Sequence, residues 1–220
     1  MKNKLLLVVL IPILVLVTAC NQKDEKKDLN ILKYEGNDLA YICSETDLEL
    51  FSKDVSVTVK DNQSFSFYDI NNNYQEYKTG EHIIKSDTKI KSCFFTNHDT
   101  VENNKFGTST YITYNDYVYG KLQFSMYGNY SFKVIDSKKF IEIYPSFETS
   151  KMVFGTYITT VYRNYISKMT YNDIILEKEM PESELSKVNE YIKEYGIEIT
   201  KVNYEGIKYT TDSLKVIAES

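Results

Sequence analysis

The chain has 220 residues, a formal net charge of −5, 20 tyrosines, no tryptophan and three cysteines. Hydrophobic residues make up 42% of it and charged residues 26%, which excludes a chain that is disordered throughout. The acidic balance, with Arg163 as the one arginine, argues against the clustered basic surface that nucleic-acid binding requires.

The N-terminus has the pattern of a signal peptide. Lys2 and Lys4 form a short basic segment, and Leu5 to Val17 follow as thirteen residues without a polar side chain. This length is typical of the apolar part of a signal peptide, whereas a membrane-spanning helix needs about 20 apolar residues. We therefore predict a signal peptide over residues 1–19.

The end of this segment carries a recognisable motif. Residues 17–20, Val-Thr-Ala-Cys, resemble the lipobox of bacterial lipoproteins, in which an aliphatic residue and two small residues precede a cysteine. The resemblance implies that the Cys20 thiol receives a diacylglyceryl group with acyl chains such as palmitate, and that cleavage after Ala19 leaves Cys20 as the new N-terminus. It also implies residence on the outer face of the cell membrane. Two or more acyl chains hold a protein at a membrane firmly, whereas one holds it only marginally. The alternatives are an ordinary secretory signal with an incidental cysteine and an uncleaved anchor.

The rest of the chain is predicted to form a charged tether over residues 20–30 and one domain over residues 31–220. Asn21 to Asp28 mix both signs of charge and offer nothing to bury, which is typical of a flexible tether. An extended tether of this length places the domain at most about 25–30 Å from the bilayer. The abundance of Lys, Asn, Ile and Tyr suggests a low-GC Gram-positive bacterium.

Two further cysteines, Cys43 and Cys93, form an even pair. Outside the cytoplasm such a pair can form a disulfide, and the alternative is two buried free thiols. No histidine stands at the spacing of a zinc site, so we predict neither a metal nor another cofactor.

Alternation of apolar and polar residues dominates the predicted domain. Val55, Val57 and Val59 lie on one face of a strand, and Phe65 and Phe67 resume the pattern after a turn. Short strands of this kind predict a mainly β fold, an antiparallel sandwich or barrel-like sheet. The further predicted strands are Tyr74 to Tyr77, Ile83 to Ser86, Lys89 to Thr96, Gly107 to Tyr114, Tyr117 to Ser125, Tyr130 to Val134, Phe140 to Tyr144, Val153 to Tyr162, Tyr165 to Thr170 and Ile174 to Glu179.

One amphipathic helix is predicted at about residues 182–195, packed on the sheet. Pro181 precedes it, Gly196 follows it, and its apolar residues recur every three or four positions. A final hairpin over 197–211 would turn near Glu205-Gly206. A short helix through Phe51 would begin with a capping box of Thr46 and Glu49. Tyr127-Gly128-Asn129 is read as a tight turn.

Catalytic motifs are scarce. The sequence contains neither the Gly-x-Ser-x-Gly pattern of a nucleophile elbow nor a glycine-rich phosphate loop, so no catalytic residue is predicted. The two histidines are His82 and His98, and the second lies beside Asp99 and near Glu102. This loop could hold a metal, but solvated polar residues are the simpler interpretation.

Weak binding candidates come from the tyrosine excess. Tyr157, Tyr162 and Tyr165 surround Arg163, and tyrosine and arginine are enriched where proteins bind partners. Phe-Gly-Thr occurs both at 106–108 and at 154–156, which would fit a duplicated hairpin or chance. Residues 107–114 and 130–134 also resemble small bacterial lipocalin-like barrels.

These observations favour a membrane-anchored, extracytoplasmic lipoprotein that acts as a non-catalytic binding or accessory module. Its partner would be a protein, a peptide or a small apolar ligand at the cell envelope. The alternatives are an envelope-associated hydrolase and an immunity or purely structural lipoprotein. A cleft that brings His82 or His98 near a carboxylate or a cysteine would favour the hydrolase, whereas an open tyrosine-lined face would favour binding.

Overall fold

The structure is a computed structural model that describes residues 29–219. The predicted signal peptide, Cys20 and the tether up to residue 28 lie outside the described residues. Strand residues outnumber helix residues, and helices pack on antiparallel sheets that do not close into a barrel. The predicted mainly β fold class is therefore confirmed.

Eleven strands are present in the described part of the chain. They are β1 (Asn30–Lys33), β2 (Ala40–Ile42), β3 (Val55–Val59), β4 (Gln63–Asp69), β5 (Tyr74–Tyr77), β6 (Gly80–Ile84), β7 (Ile90–Asn97), β8 (Val101–Gly107), β9 (Ile112–Asp116), β10 (Gly120–Val134) and β11 (Ile197–Tyr209).

Six α-helices accompany the strands within residues 29–219. They are α1 (Glu45–Glu49), α2 (Ser137–Ile143), α3 (Phe147–Ile166), α4 (Tyr171–Leu176), α5 (Glu182–Ile192) and α6 (Thr211–Glu219).

The strands form three sheets around two apolar cores. The first two sheets, in the orders β1-β3-β6 and β2-β7-β4-β5, enclose the smaller core. The third has the order β11-β10-β8, with β9 also pairing with β10. Helices α2, α3, α4 and α5 contribute buried side chains to the larger core against this third sheet. All strand pairs are antiparallel except β1 with β3.

The alternation in β3 and the helix at α5 are confirmed. Val55, Val57 and Val59 are all buried in the smaller core. Helix α5 buries Val188 and Ile192 against the third sheet, and a one-turn 3₁₀ helix after it ends at Gly196. Gly196 has the left-handed φ of 71° that a helix end favours in glycine.

The short helix α1 is confirmed with a different cap. Ser44 rather than Thr46 accepts the backbone N–H of Asp47, and the Asp47 side chain accepts the N–H of Ser44 in return. The capping box therefore starts two residues earlier than predicted.

All four strands predicted between residues 140 and 179 are wrong. Val153 to Tyr162 lies within α3, Ile174 to Glu179 overlaps α4, and Phe140 to Tyr144 overlaps α2. Asp136 caps α2 by accepting the backbone N–H of Lys139 at 3.1 Å. The segment Tyr165 to Thr170 contains the end of α3 and the cap of α4, and is not a strand either.

The predicted turn at Gly128 and the predicted final hairpin are also wrong. Gly128 lies inside the continuous strand β10, and Glu205-Gly206 lies inside β11. The two strands pair along most of their length, with a register shift between Tyr127 and Gly128. Gly206 leaves space for the Tyr127 side chain of the paired strand, because a Cβ at Gly206 would lie 2.5 Å from that ring.

Cys43 and Cys93 are neighbours in the smaller core. The Cys43 N–H donates to the Cys93 carbonyl oxygen at 2.9 Å, and both side chains are buried, with their sulfurs not bonded to each other in this structure. The hydrogen bond with Cys43, together with burial, raises the pKa of Cys93, so this thiol stays protonated at neutral pH. A disulfide between the two residues stays a prediction.

Candidate binding groove between β8 and α3

A groove of about 540 Å³ runs between the edge of the third sheet and helix α3. One wall is the continuous backbone of residues 105–109 at the end of β8. The other wall is one face of α3, from Lys151 to Arg163. We name this site the β8–α3 groove.

Two contacts position helix α3 relative to the strand wall. A Cβ at Gly155 would lie 3.3 Å from the Cβ of Phe106, so the glycine lets α3 approach the strand closely. Further along, the Arg163 Nη2 donates to Thr110 Oγ1 at 3.2 Å. Strand and helix therefore run side by side in the same direction.

The groove is basic within an acidic protein. Lys105, Lys151 and Arg163 line it, and none of the described carboxylates does. Lys151 pairs with Glu148 at 2.8 Å, whereas neither Lys105 nor Arg163 forms an ion pair within residues 29–219. Basic side chains collected in a concave surface attract an anionic group.

The strand wall is an open sheet edge. The Thr108 N–H donates to the Met126 carbonyl oxygen at 3.0 Å, which sets the antiparallel alternation between β8 and β10. Residues 104, 106 and 108 therefore face β10, and the backbone groups of Lys105 and Gly107 point away from it. Across the part of the chain that the structure describes, no strand pairs with this second edge of β8.

Threonine side chains complete the helix wall. The hydroxyls of Thr156, Thr159 and Thr160 donate to backbone carbonyls one turn earlier in α3, at 2.8–3.2 Å. Their oxygens retain lone pairs, so they can still accept hydrogen bonds from a ligand.

Comparison with known protein families identifies the family to which the chain belongs. A model of the SPFH domain-Band 7 family matches residues 74–219, more than half of the chain. The chain belongs to this family. Proteins with this domain associate with membranes and form protein complexes. No curated protein matches the chain.

The family corrects the resemblance suggested by residues 107–114 and 130–134. Residues 74–219 are an SPFH domain rather than a lipocalin-like barrel, and the described sheets do not close. The matched range starts at β5 and includes both walls of the β8–α3 groove. Within residues 29–219, none of the helices is both long and apolar enough to cross a bilayer.

All four residues predicted for binding lie on α3 of the SPFH domain, but on different faces. Arg163 lies in the groove, whereas Tyr162 is fully buried in the larger core. Tyr157 stacks on Tyr191 of α5 with ring centroids 5.1 Å apart. The Tyr165 hydroxyl donates to a Glu177 carboxylate oxygen at 3.3 Å. The four side chains do not form one surface.

The repeated Phe-Gly-Thr sequence takes two different structures. Residues 106–108 lie at the end of β8 and residues 154–156 lie in α3, so the repeat is not a duplicated hairpin. Both copies contribute to the groove, at the glycine and the threonine. The sequence alone did not identify Lys105 and Lys151 as groove residues. The repeated Phe-Gly-Thr was the one feature close to both of them that could have indicated this region.

His98 takes part in a partly buried hydrogen-bond network. Its Nδ1 lies 2.8 Å from the Val134 carbonyl oxygen and its Nε2 lies 2.9 Å from Ser64 Oγ. Ser64 Oγ is 2.9 Å from Ser137 Oγ, which donates to a Glu76 carboxylate oxygen at 2.9 Å. Both serines are at most 1% exposed, so substrate has no path to these hydroxyls. The network joins the two cores of the molecule.

His82 and the loop acids show no comparable arrangement. The His82 Nε2 lies 2.7 Å from the Lys78 carbonyl oxygen, and its ring packs on Tyr77. Among the described residues, no group of three His, Cys, Asp or Glu side chains is placed to hold a metal ion. The β8–α3 groove is therefore the candidate functional site.

The buried tyrosine pair gives a stability prediction. Tyr162 and Tyr204 lie with ring centroids 4.5 Å apart, and neither hydroxyl has a partner among the described residues. Burial raises the pKa of both, so the hydroxyls stay neutral. Because an unpartnered buried hydroxyl is costly, we expect Tyr162→Phe to leave the free energy of unfolding unchanged or raise it by about 1 kcal/mol.

The matched control for this prediction is Tyr41→Phe, measured by the same urea denaturation. Tyr41 donates to an Asp47 carboxylate oxygen at 2.7 Å, so its loss should lower the free energy of unfolding by about 1 kcal/mol. A loss of similar size for Tyr162→Phe would show that its hydroxyl has a partner.

Proposed function

We propose that the protein is a lipid-anchored SPFH-domain lipoprotein that holds a protein partner at the outer face of the cell membrane without catalysis. The observation that carries the proposal is the β8–α3 groove, which combines an open strand edge with unpaired basic side chains. Membership of a family whose proteins associate with membranes and form complexes supports the same function.

The anchor rests on the sequence around Cys20. The lipobox-like residues 17–20 support acylation of that cysteine, and the mixed-charge tether keeps the domain close to the bilayer. A partner in the groove would therefore be a protein of the membrane or of its immediate surroundings.

We treat residues 31–220 as one functional unit. The hydrogen bonds from His98 to Ser64, and from Ser64 to Ser137, cross between the smaller and the larger core. Pairing of this kind supports two cores that move together, so the groove keeps a fixed position relative to β1 at the start of the domain.

The hydrolase alternative has weaker support. His98 does lie near serines and, through Ser137, a carboxylate, but those serine hydroxyls are buried. A nucleophile must reach its substrate, and these cannot in this arrangement.

Cross-linked co-purification from intact cells tests the function. We expect the wild-type protein to recover one partner in stoichiometric amount. A variant with Lys105, Lys151 and Arg163 each changed to Glu should recover at least about tenfold less, because three attractive charges become repulsive.

The matched control reverses three exposed lysines away from the groove, Lys121, Lys208 and Lys215. It carries the same change in net charge and should recover the partner as the wild type does. Equal recovery by the groove variant would reject the groove as the binding site. Recovery of no stoichiometric partner by the wild type would favour a purely structural role.

A further inference from the structure

We infer that the β8–α3 groove takes an extended acidic segment of the partner, which pairs with β8 as an additional strand. This inference rests on the proposed function and specifies the chemistry of the partner. An open edge is a template for a further strand, because its N–H and C=O groups lack strand partners. Here those groups belong to Lys105 and Gly107, both exposed.

The helix supplies the second wall that such a site needs. From Lys151 to Arg163, α3 extends about 18 Å at the helical rise of 1.5 Å per residue. β8 contributes residues 105–107, about 10 Å at 3.3 Å per residue, and Thr108 continues the pairing with β10 before the chain bends at Ser109. A strand of three or four residues therefore pairs with this edge, and a peptide of five or six residues spans the helix wall.

The positions of the basic groups indicate where the acidic residues of the peptide lie. Lys105 precedes Phe106, which meets α3 at Gly155, and Lys151 lies one turn before that glycine. These two lysines mark one end of the groove. Arg163, at Thr110, marks the other. Gly155 and Arg163 are about 12 Å apart along α3, so acidic residues four positions apart in an extended peptide would meet both ends.

Charge argues against two other occupants. The tether of this chain has Lys23, Lys26 and Lys27 against Asp24, Glu25 and Asp28, so it has no net negative charge. A second copy pairing through its own β8 would bring Lys105 of both copies to the same edge, where like charges repel. An acidic segment from another protein can pair with the open edge of β8, and its charge complements the basic side chains of the groove.

The test uses the full lipidated chain in detergent and a synthetic peptide, N-acetylated and C-amidated, of sequence Asp-Val-Thr-Val-Asp-Val. Hydrogen–deuterium exchange should show slower exchange over residues 105–109 on peptide addition. The same peptide with Lys in place of Asp should bind at least about tenfold more weakly. A peptide that keeps both Asp residues but has N-methyl groups on alternate backbone nitrogens should give no protection, because it cannot pair as a strand.

Two variants separate strand pairing from charge. Gly107→Pro removes an N–H that points away from β10 and should lose peptide binding by about tenfold or more, since an edge strand tolerates proline there. Gly107→Ala keeps the N–H, and its Cβ would meet Met126 O at 3.5 Å, an ordinary contact. It should bind the peptide at least about tenfold more tightly than Gly107→Pro does, because only the proline removes the N–H.

Several results would overturn the inference. If the N-methylated peptide binds as tightly as the unmodified peptide, the groove binds an isolated anionic group and not a strand. The same conclusion follows if anionic phosphatidylglycerol vesicles compete equally with both peptides. Concentration-dependent dimers protected at residues 105–109 would assign it to a second copy. If the charge-reversed groove variant loses the cellular partner while Gly107→Pro retains it, the proposed function stands and the added strand does not.

Discussion

Replacement of Gly128 by alanine should lower the free energy of unfolding by about 3 kcal/mol, because the added methyl group has no space. A Cβ at this position would collide with the Asn203 carbonyl oxygen of β11 and lie 3.1 Å from the Phe106 ring. The first obstacle is backbone, which cannot rotate away as a side chain can. Relief requires β10 and β11 to separate at the centre of the third sheet.

Gly107→Ala is the matched control, because it adds the same methyl group to the neighbouring strand of the same sheet. Its Cβ meets only contacts of 3.5 Å or longer, so its stability should remain within about 0.5 kcal/mol of the wild type. Denaturant unfolding followed by circular dichroism measures both variants. An equal loss of stability in the two variants would show that Asn203 does not approach Gly128 this closely.

Replacement of Cys20 by alanine should abolish lipid attachment completely. The proposed diacylglyceryl group is attached to the Cys20 sulfur, and alanine has no such atom. Cells grown with an alkyne-tagged fatty acid should label the wild-type protein and leave Cys20→Ala unlabelled. Mass spectrometry of the wild-type N-terminus should find a lipid-modified cysteine as the first residue.

Cys43→Ala and Cys93→Ala serve as controls, since both thiols are buried in the smaller core. Both variants should keep the full label. An unmodified Cys20 thiol in the mature wild-type protein, or label that persists in Cys20→Ala, would reject the anchor. The SPFH fold and the groove would remain, but the placement of the partner at the outer membrane face would not.

Helix α3 shows why local preference alone was a poor guide. Its residues 153–162 are rich in β-branched and aromatic side chains, which favour strands in isolation. Yet Phe154, Ile158 and Val161 are buried at steps of four and three, the period of a helix face. Packing against the third sheet outweighs the small differences in propensity, so the periodicity was the better signal.

The two long strands were divided by their glycines for a different reason. Gly128 and Gly206 look like turn residues in the sequence, but they lie opposite or next to bulky partners across the β10–β11 pair. The need for a close approach is a property of two strands far apart in sequence. It could not be read from either strand alone.

The groove was predictable only in part. Arg163 stood out as the one arginine, and it does lie in the groove. Lys105 and Lys151 are two among many lysines, and only the contact of Phe106 with α3 brings them together. The open edge of β8 depends on the order of strands in the sheet, which alternation within each strand does not specify.

The long pairing of β10 with β11 has a kinetic consequence. More than sixty residues, including four helices, separate the end of β10 from the start of β11. Contacts this distant in sequence form late, so folding of this part of the molecule should be limited by chain diffusion over a large loop. Until β11 docks, the apolar faces of α3 and α5 stay uncovered. A nascent chain at this stage is a natural client for chaperones.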